Sequence, residues 1–131
     1  LVQKEVAERV AAGAGDMSIL AVSAQIFAAA RLGVIVSREY FTPPPKVDSQ
    51  VVVLHTRTAS LVAPEDEKAF FRVVKAGFSS KRKKLRSSIA AGLAISKPAA
   101  EELLRHANIN PELRAEDLSL EDWVRLARDA V

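Results

Sequence analysis

Phe41-Thr42-Pro43-Pro44-Pro45-Lys46-Val47-Asp48-Ser49-Gln50-Val51-Val52-Val53-Leu54 is the stretch on which the fold of this chain turns. Pro43, Pro44 and Pro45 fix φ and remove their N–H donors, so the segment around them is a stiff extended loop and not part of a sheet. Val51 to Leu54 is a β-branched run, and the spacing predicts a strand reaching about Thr56. Val34-Ile35-Val36, on the other side of the loop, is a second strand candidate behind Gly33. The loop therefore joins two strands, a β-hairpin.

Outward from the hairpin, the first half reads as mixed α/β. Lys4 to Ala12 shows helical spacing, with Val6, Ala7 and Val10 on one side and Gly13 as a stop. Asp16 is a candidate N-cap for a second helix running to about Ala30. Met17, Ile19, Leu20, Val22, Ile26 and Phe27 make it apolar nearly all round, which predicts a buried helix. Two strands do not form a stable sheet alone, and such a helix needs a sheet to cover. Residues 1–60 are thus expected to be the C-terminal end of a larger α/β domain. An incomplete sheet leaves an apolar edge exposed and permits self-association between copies.

Residues 61–131 read as a small all-helical domain. Pro64 opens a helix at its first position, with Glu65, Asp66 and Glu67 in the first turn where the helix dipole favours acids. Phe70, Phe71, Val73, Val74 and Phe78 form one face, and Lys68, Arg72 and Lys75 line the opposite one. A helix from about Ser79 or Ser80 to Leu93 is expected next, with Leu85, Ile89 and Leu93 as its apolar stripe. Lys83 and Arg86 share another side, and Arg82 falls near the stripe, the place of a partly buried residue that holds a shape. Ser96 caps a helix from Pro98 to His106, ended by Asn108 and Pro111. Ser119 with Asp122 is a capping-box-like start for the last helix, with Leu120, Trp123, Val124 and Ala127 inward.

The formal charge of +3 hides an asymmetry. Residues 1–63 carry six bases and five acids, residues 68–86 carry eight bases and no acid, and residues 97–131 carry five bases and eight acids. A block of that kind faces a polyanion or forms a solvated helix face. The chain has no cysteine, which removes disulfides, zinc-ribbon chemistry and thiol catalysis, and fits a reducing, cytoplasmic setting. The longest apolar run, Met17 to Ala30, is shorter than the roughly 20 residues of a bilayer span, so neither membrane nor metal is expected as a partner. His55 and His106 have no ligand-spaced partners. No G-x-S-x-G, G-x-G-x-x-G or Ser/His/Asp pattern occurs. Phe41, held by a rigid loop, either stacks on a flipped-out base or anchors the core, and Lys46 meets phosphate or solvent.

The run from Phe41 to Val52 closely resembles the F-x-P-x-P-K-V-D-S-x-V segment of the rRNA adenine N6,N6-dimethyltransferases of the KsgA type. Gln3-Lys4-Glu5-Val6-Ala7-Glu8-Arg9 is similar to the segment that follows that family's fifth strand. Phe78-Ser79-Ser80-Lys81-Arg82-Lys83-Lys84-Leu85-Arg86 resembles its F-x-x-R-R-K-x-L-R helix, and Arg114 to Ser119 its R-A-E-x-L-S segment. One departure is Met17-Ser18-Ile19-Leu20-Ala21-Val22, where the family has Tyr-Gly-x-Leu-Ser-Val.

The resemblance implies an α+β fragment. It would be the end of a Rossmann-like, S-adenosylmethionine-dependent methyltransferase domain, followed by a helical domain that contacts small-subunit rRNA within the 30S precursor. The reaction implied is dimethylation of N6 on two adjacent adenosines. The family's cofactor loop and N-L-P-Y motif lie upstream of its fifth strand and are not in this sequence, so no catalytic or cofactor-binding residue is assigned here and the isolated chain is expected to be inactive. The resemblance gives Phe41 the stacking role against the target adenine. Lys81, Arg82 and Lys83 match the basic triplet expected on rRNA, and the basic block adds Lys46, Lys68, Arg72, Lys75, Lys84 and Arg86 as RNA-binding candidates. A stand-alone, non-catalytic nucleic-acid-binding module is the other reading.

Overall fold

A computed structural model of the chain describes residues 1–130. The order is β1 (Val2–Gln3), α1 (Lys4–Val10), α2 (Ile19–Gln25), β2 (Ala28–Val36), β3 (Ser49–Thr56), α3 (Glu67–Phe78), α4 (Leu85–Leu93), α5 (Lys97–His106) and α6 (Leu120–Ala130). Single 3-10 turns lie at Arg38–Tyr40, Pro64–Asp66 and Ala115–Asp117. The class is α+β: among the described residues, six α-helices and one antiparallel sheet of order β1-β3-β2.

The hairpin forms around the proline loop, with β2 paired to β3 from Ala28 opposite Thr56 to Val36 opposite Ser49. The strand is longer than its β-branched core, and the helix expected to reach Ala30 stops at Gln25. Alanine's helix propensity is outweighed by the ladder that Ala28, Ala29 and Ala30 form with Thr56, His55 and Leu54. Gln25 marks the change. Its side-chain amide donates to the carbonyls of Val10 and Ala12 at 2.9 and 2.8 Å, and its own carbonyl accepts from Arg57 Nε at 2.9 Å. The cap of α2 is Ser18, whose Oγ accepts from the Ala21 N–H at 3.1 Å, and not Asp16. Nor is α2 buried all round: Ala21 and Val22 are buried, whereas Ile19 and Leu20 are exposed. Gly33 lies inside β2, where the register slips between Leu32 and Ile35 and Gln50 Nε2 donates to its carbonyl at 3.1 Å.

The helical half corrects a second expectation. No helix starts at Ser79 or Ser80: α3 ends at Phe78, residues 79–84 turn, and α4 begins at Leu85. The break comes from outside the segment. The Leu85 N–H donates to the Leu113 carbonyl at 2.7 Å and the Arg86 N–H to the Pro111 carbonyl at 3.2 Å, so neither amide is available to a helix running through the turn. Ser96 caps α5 through the Ala99 N–H, and Ser119 and Asp122 form a reciprocal capping box on α6 at 3.0 and 3.1 Å.

One buried cluster joins both halves. Phe70, Val74, Leu85, Ile89, Leu104, Leu118, Trp123 and Leu126 pack with Met17, Ala21, Val22 and Ile26. Trp123 is fully buried and stacks on Phe78 with ring centroids 5.2 Å apart. Gly77 makes room for it, since a Cβ there would lie 2.4 Å from Trp123 Cη2. The turn before α2 is tied to the helices as well, because Gly15 and Met17 both donate to the Glu116 carbonyl, at 2.8 and 3.2 Å.

Candidate nucleic-acid interface

The outer face of α3 follows from its periodicity. Burying Phe70, Val73, Val74 and Phe78 leaves Lys68, Arg72 and Lys75 exposed in a row. They border a shallow open groove of about 920 Å³, also lined by Ala69, Phe71, Ala76, Ser79 and Gly92. The groove is shallow because α4 approaches closely: a Cβ on Gly92 would lie 2.4 Å from the Ala76 Cβ. Glu65, at the α3 start, is the one acid on the rim.

Lys81, Arg82, Lys83 and Lys84 form the α3–α4 turn, and all four side chains are exposed. Arg82 is therefore not the partly buried residue that helical spacing placed beside Leu85; once the segment is a turn, that spacing no longer applies. The eight bases of the block divide by partner. Among the described residues, only Lys84 and Arg86 of the eight form ion pairs. Lys84 Nζ meets Glu112 Oε2, and Arg86 Nη1 lies 3.0 Å from Glu112 Oε1 and 3.6 Å from Glu101 Oε1. The hydrogen bond from Lys84 holds the Glu112 carboxyl below the ordinary carboxylate range; desolvation opposes it, and the charge of Arg86 adds to it. Glu112 stands 28 positions from Lys84, and no local sequence pattern announced it.

The proline loop is pinned at its base by Asp48. Its Oδ1 accepts from the Arg38 N–H at 2.9 Å, and its carbonyl accepts from the Lys4 N–H at 3.0 Å. Arg38 Nη1 also donates to the Lys46 carbonyl at 3.3 Å. Phe41 is half-buried between these anchors and the prolines, Lys46 is exposed, and Tyr40 beside them is 83% exposed. The sequence reading passed over both Asp48, an acid placed just ahead of the strand, and Tyr40, the freely presented ring next to Phe41.

His55 lies exposed on β3, and His106 Nδ1 is 3.5 Å from Asp129 Oδ2. No group of His, Cys, Asp or Glu able to hold a metal occurs among the described residues. Nor is any of their helices long and apolar enough to cross a membrane. Gly13-Ala14-Gly15 is the one close glycine pair ahead of a helix; Gly15 and Met17 donate to the Glu116 carbonyl, and Asp16 to that of Gly13.

The fold is one seen in solved methyltransferases. It is similar to the crystal structure of the 23S rRNA methyltransferase ErmE, with a TM-score of 0.73 and 24% identity over 97% of this chain and 51% of that one. It is equally similar to a dimethyladenosine transferase from Plasmodium falciparum, with a TM-score of 0.73 and 28% identity over 95% and 54%. The chain belongs to the ribosomal RNA adenine dimethylase family, whose model matches residues 1–130. Among curated relatives, the ribosomal RNA small subunit methyltransferase A of Dehalococcoides mccartyi (strain CBDB1) is 40% identical over 126 residues, 96% of this chain and 43% of that protein. The protein of the same name from Trichormus variabilis is 43% identical over 129 residues, 97% of this chain and 46% of its own length. The chain thus spans less than half the length of these relatives.

Proposed function

We propose that this chain is the C-terminal part of an S-adenosylmethionine-dependent rRNA methyltransferase that dimethylates N6 of two adjacent adenosines in small-subunit rRNA during ribosome biogenesis. The observation that carries the reading is the 40% identity over 126 residues to a protein named for small-subunit rRNA methylation. Residues 1–60 complete a Rossmann-like methyltransferase domain, and residues 61–131 are its helical RNA-contacting domain. The whole enzyme works on the 30S precursor in the cytoplasm.

The cofactor supplies an electrophilic sulfonium methyl when bound, and its site lies outside the residues of this chain. What the chain contributes is substrate handling. Phe41 stacks on the extruded adenine, which offsets part of the few kcal/mol that unstacking costs, since base–aromatic stacking is worth about 1–3 kcal/mol. The loop is already rigid, pinned through Asp48, so little ordering entropy is lost when the base arrives. Lys46, Lys68, Arg72, Lys75, Lys81, Arg82 and Lys83 lie on exposed faces where phosphates can reach them.

The test joins this chain to the N-terminal part of the Dehalococcoides mccartyi relative and supplies S-adenosylmethionine and unmethylated small subunits. The chimera is expected to form dimethyladenosine, and the 131-residue chain alone none. A folded, RNA-binding chimera without turnover, beside an active relative, would refute the reading.

A further inference from the structure

Between Lys68 and Arg86 the sequence carries eight cations, yet the structure treats two of them differently from the rest. Lys84 and Arg86 flank Leu85, which is fully buried, and each engages a different oxygen of the Glu112 carboxylate. The same junction is tied through the backbone by the Leu85 and Arg86 amides, which donate to Leu113 and Pro111. Residues 110–113 are themselves closed, because Asn110 Oδ1 accepts from the Glu112 N–H at 3.0 Å and the Asn110 carbonyl from the Leu113 N–H at 3.1 Å. Glu101 on α5 adds a second carboxylate to Arg86. A phosphate approaching Lys84 or Arg86 would meet Glu112 as well, so the attraction of one charge is offset by the repulsion of another.

We infer that Lys84, Arg86 and Glu112 are a clamp of positioning residues that sets where Lys81, Arg82 and Lys83 present their charges, and that the clamp cations do not themselves neutralise phosphate. The inference rests on the RNA-binding reading of the turn. It divides a block that looks uniform in sequence into six presenting cations and two holding ones.

The experiment measures the affinity of the 131-residue chain for a labelled small-subunit rRNA hairpin across a salt series. Loss of one phosphate contact lowers the slope of log affinity against log salt by about 0.7–0.9, and that is expected for Lys81→Gln. Arg86→Gln and Glu112→Gln are expected to keep the wild-type slope while binding weakens about two- to fivefold, with Arg86→Lys recovering most of the loss. A slope for Arg86→Gln that falls as it does for Lys81→Gln would overturn the inference. So would tighter or unchanged binding by Glu112→Gln. If the wild-type chain does not bind the hairpin, the RNA reading fails, and the clamp is judged by amide exchange alone. Protection of the Leu85 and Arg86 amides lost in Glu112→Gln but kept in Lys81→Gln supports it, and equal protection in both overturns it.

Discussion

Gly92→Ala separates helix propensity from packing. Gly92 lies in the last turn of α4, so propensity alone favours alanine there by about 1 kcal/mol. The structure opposes it: the new Cβ would sit 2.4 Å from the Ala76 Cβ and 2.5 Å from its Cα, where ordinary contact begins at 3.4 Å. The obstacle is the α3 backbone and not the tip of a flexible side chain, so the helices must part by roughly 1 Å, and overpacking of this kind costs about 1–3 kcal/mol. With the upper half of that range applying to a backbone clash, the net effect is a loss of about 1–2 kcal/mol. For a chain of this length that lowers Tm by roughly 3–10 °C. Gly13→Ala is the control, since nothing lies within 4 Å of its Cβ position, and it should gain about 0.4–1 kcal/mol. The assay is thermal and urea unfolding of both variants beside wild type. A Gly92→Ala variant that melts at or above wild type would refute the account of the α3–α4 contact.

Asp122 gives a pH-dependent test. Burial pushes its carboxyl up, but the Ser119 amide and hydroxyl and the Arg125 guanidinium outweigh this and bring it below the ordinary aspartate value. A depressed folded-state value means stability that is present above the unfolded value and lost as pH falls through the folded one. The Tm gap between wild type and Asp122→Asn should therefore be steady near neutrality and close in acid, and a gap independent of pH would remove the capping box from the argument. Phe41→Ala should weaken binding of an RNA with an unpaired adenine about tenfold, with Phe41→Trp retaining it. Equal binding by both variants in fluorescence titration would return Phe41 to a packing role.

What was legible in the sequence was what local chemistry decides. The proline loop, the caps Ser96 and Ser119, Pro64 at the helical start and Leu120, Trp123 and Ala127 on the inward face of α6 all rest on local patterns, although buried Leu126 escapes that reading. What was not legible was decided from far away. Lysine and arginine are good helix formers, so nothing in Lys81-Arg82-Lys83-Lys84 ends a helix; the carbonyls of Pro111 and Leu113 do. Ala28 to Ala30 read as helix until β3 pairs with them. The apolar count of α2 predicts burial all round, but only Ala21 and Val22 are buried, while Ile19 and Leu20 are exposed. At the candidate site the sequence supplied the cations, and only the fold showed which of them are already paired.

That division changes what the net charge of +3 means. The acids that bring the sum down are not interchangeable. Glu112 and Glu101 sit on Arg86, with Glu112 also on Lys84, and hold a turn in place. Glu65 and Asp66 precede α3, Glu67 lies in its first turn, and Glu65 shares the groove rim with Lys68. Along α3 the charge therefore runs from acidic at its N-terminal end to basic at the turn. A polyanion is repelled from the first and drawn to the second. The proposed RNA interface is thus weighted towards Lys75 and the Lys81–Lys83 turn and away from Glu65. A chain with the same composition but with Glu112 moved elsewhere would carry the same +3 and lose that fixed geometry. The placement of paired charges thus matters more than their number.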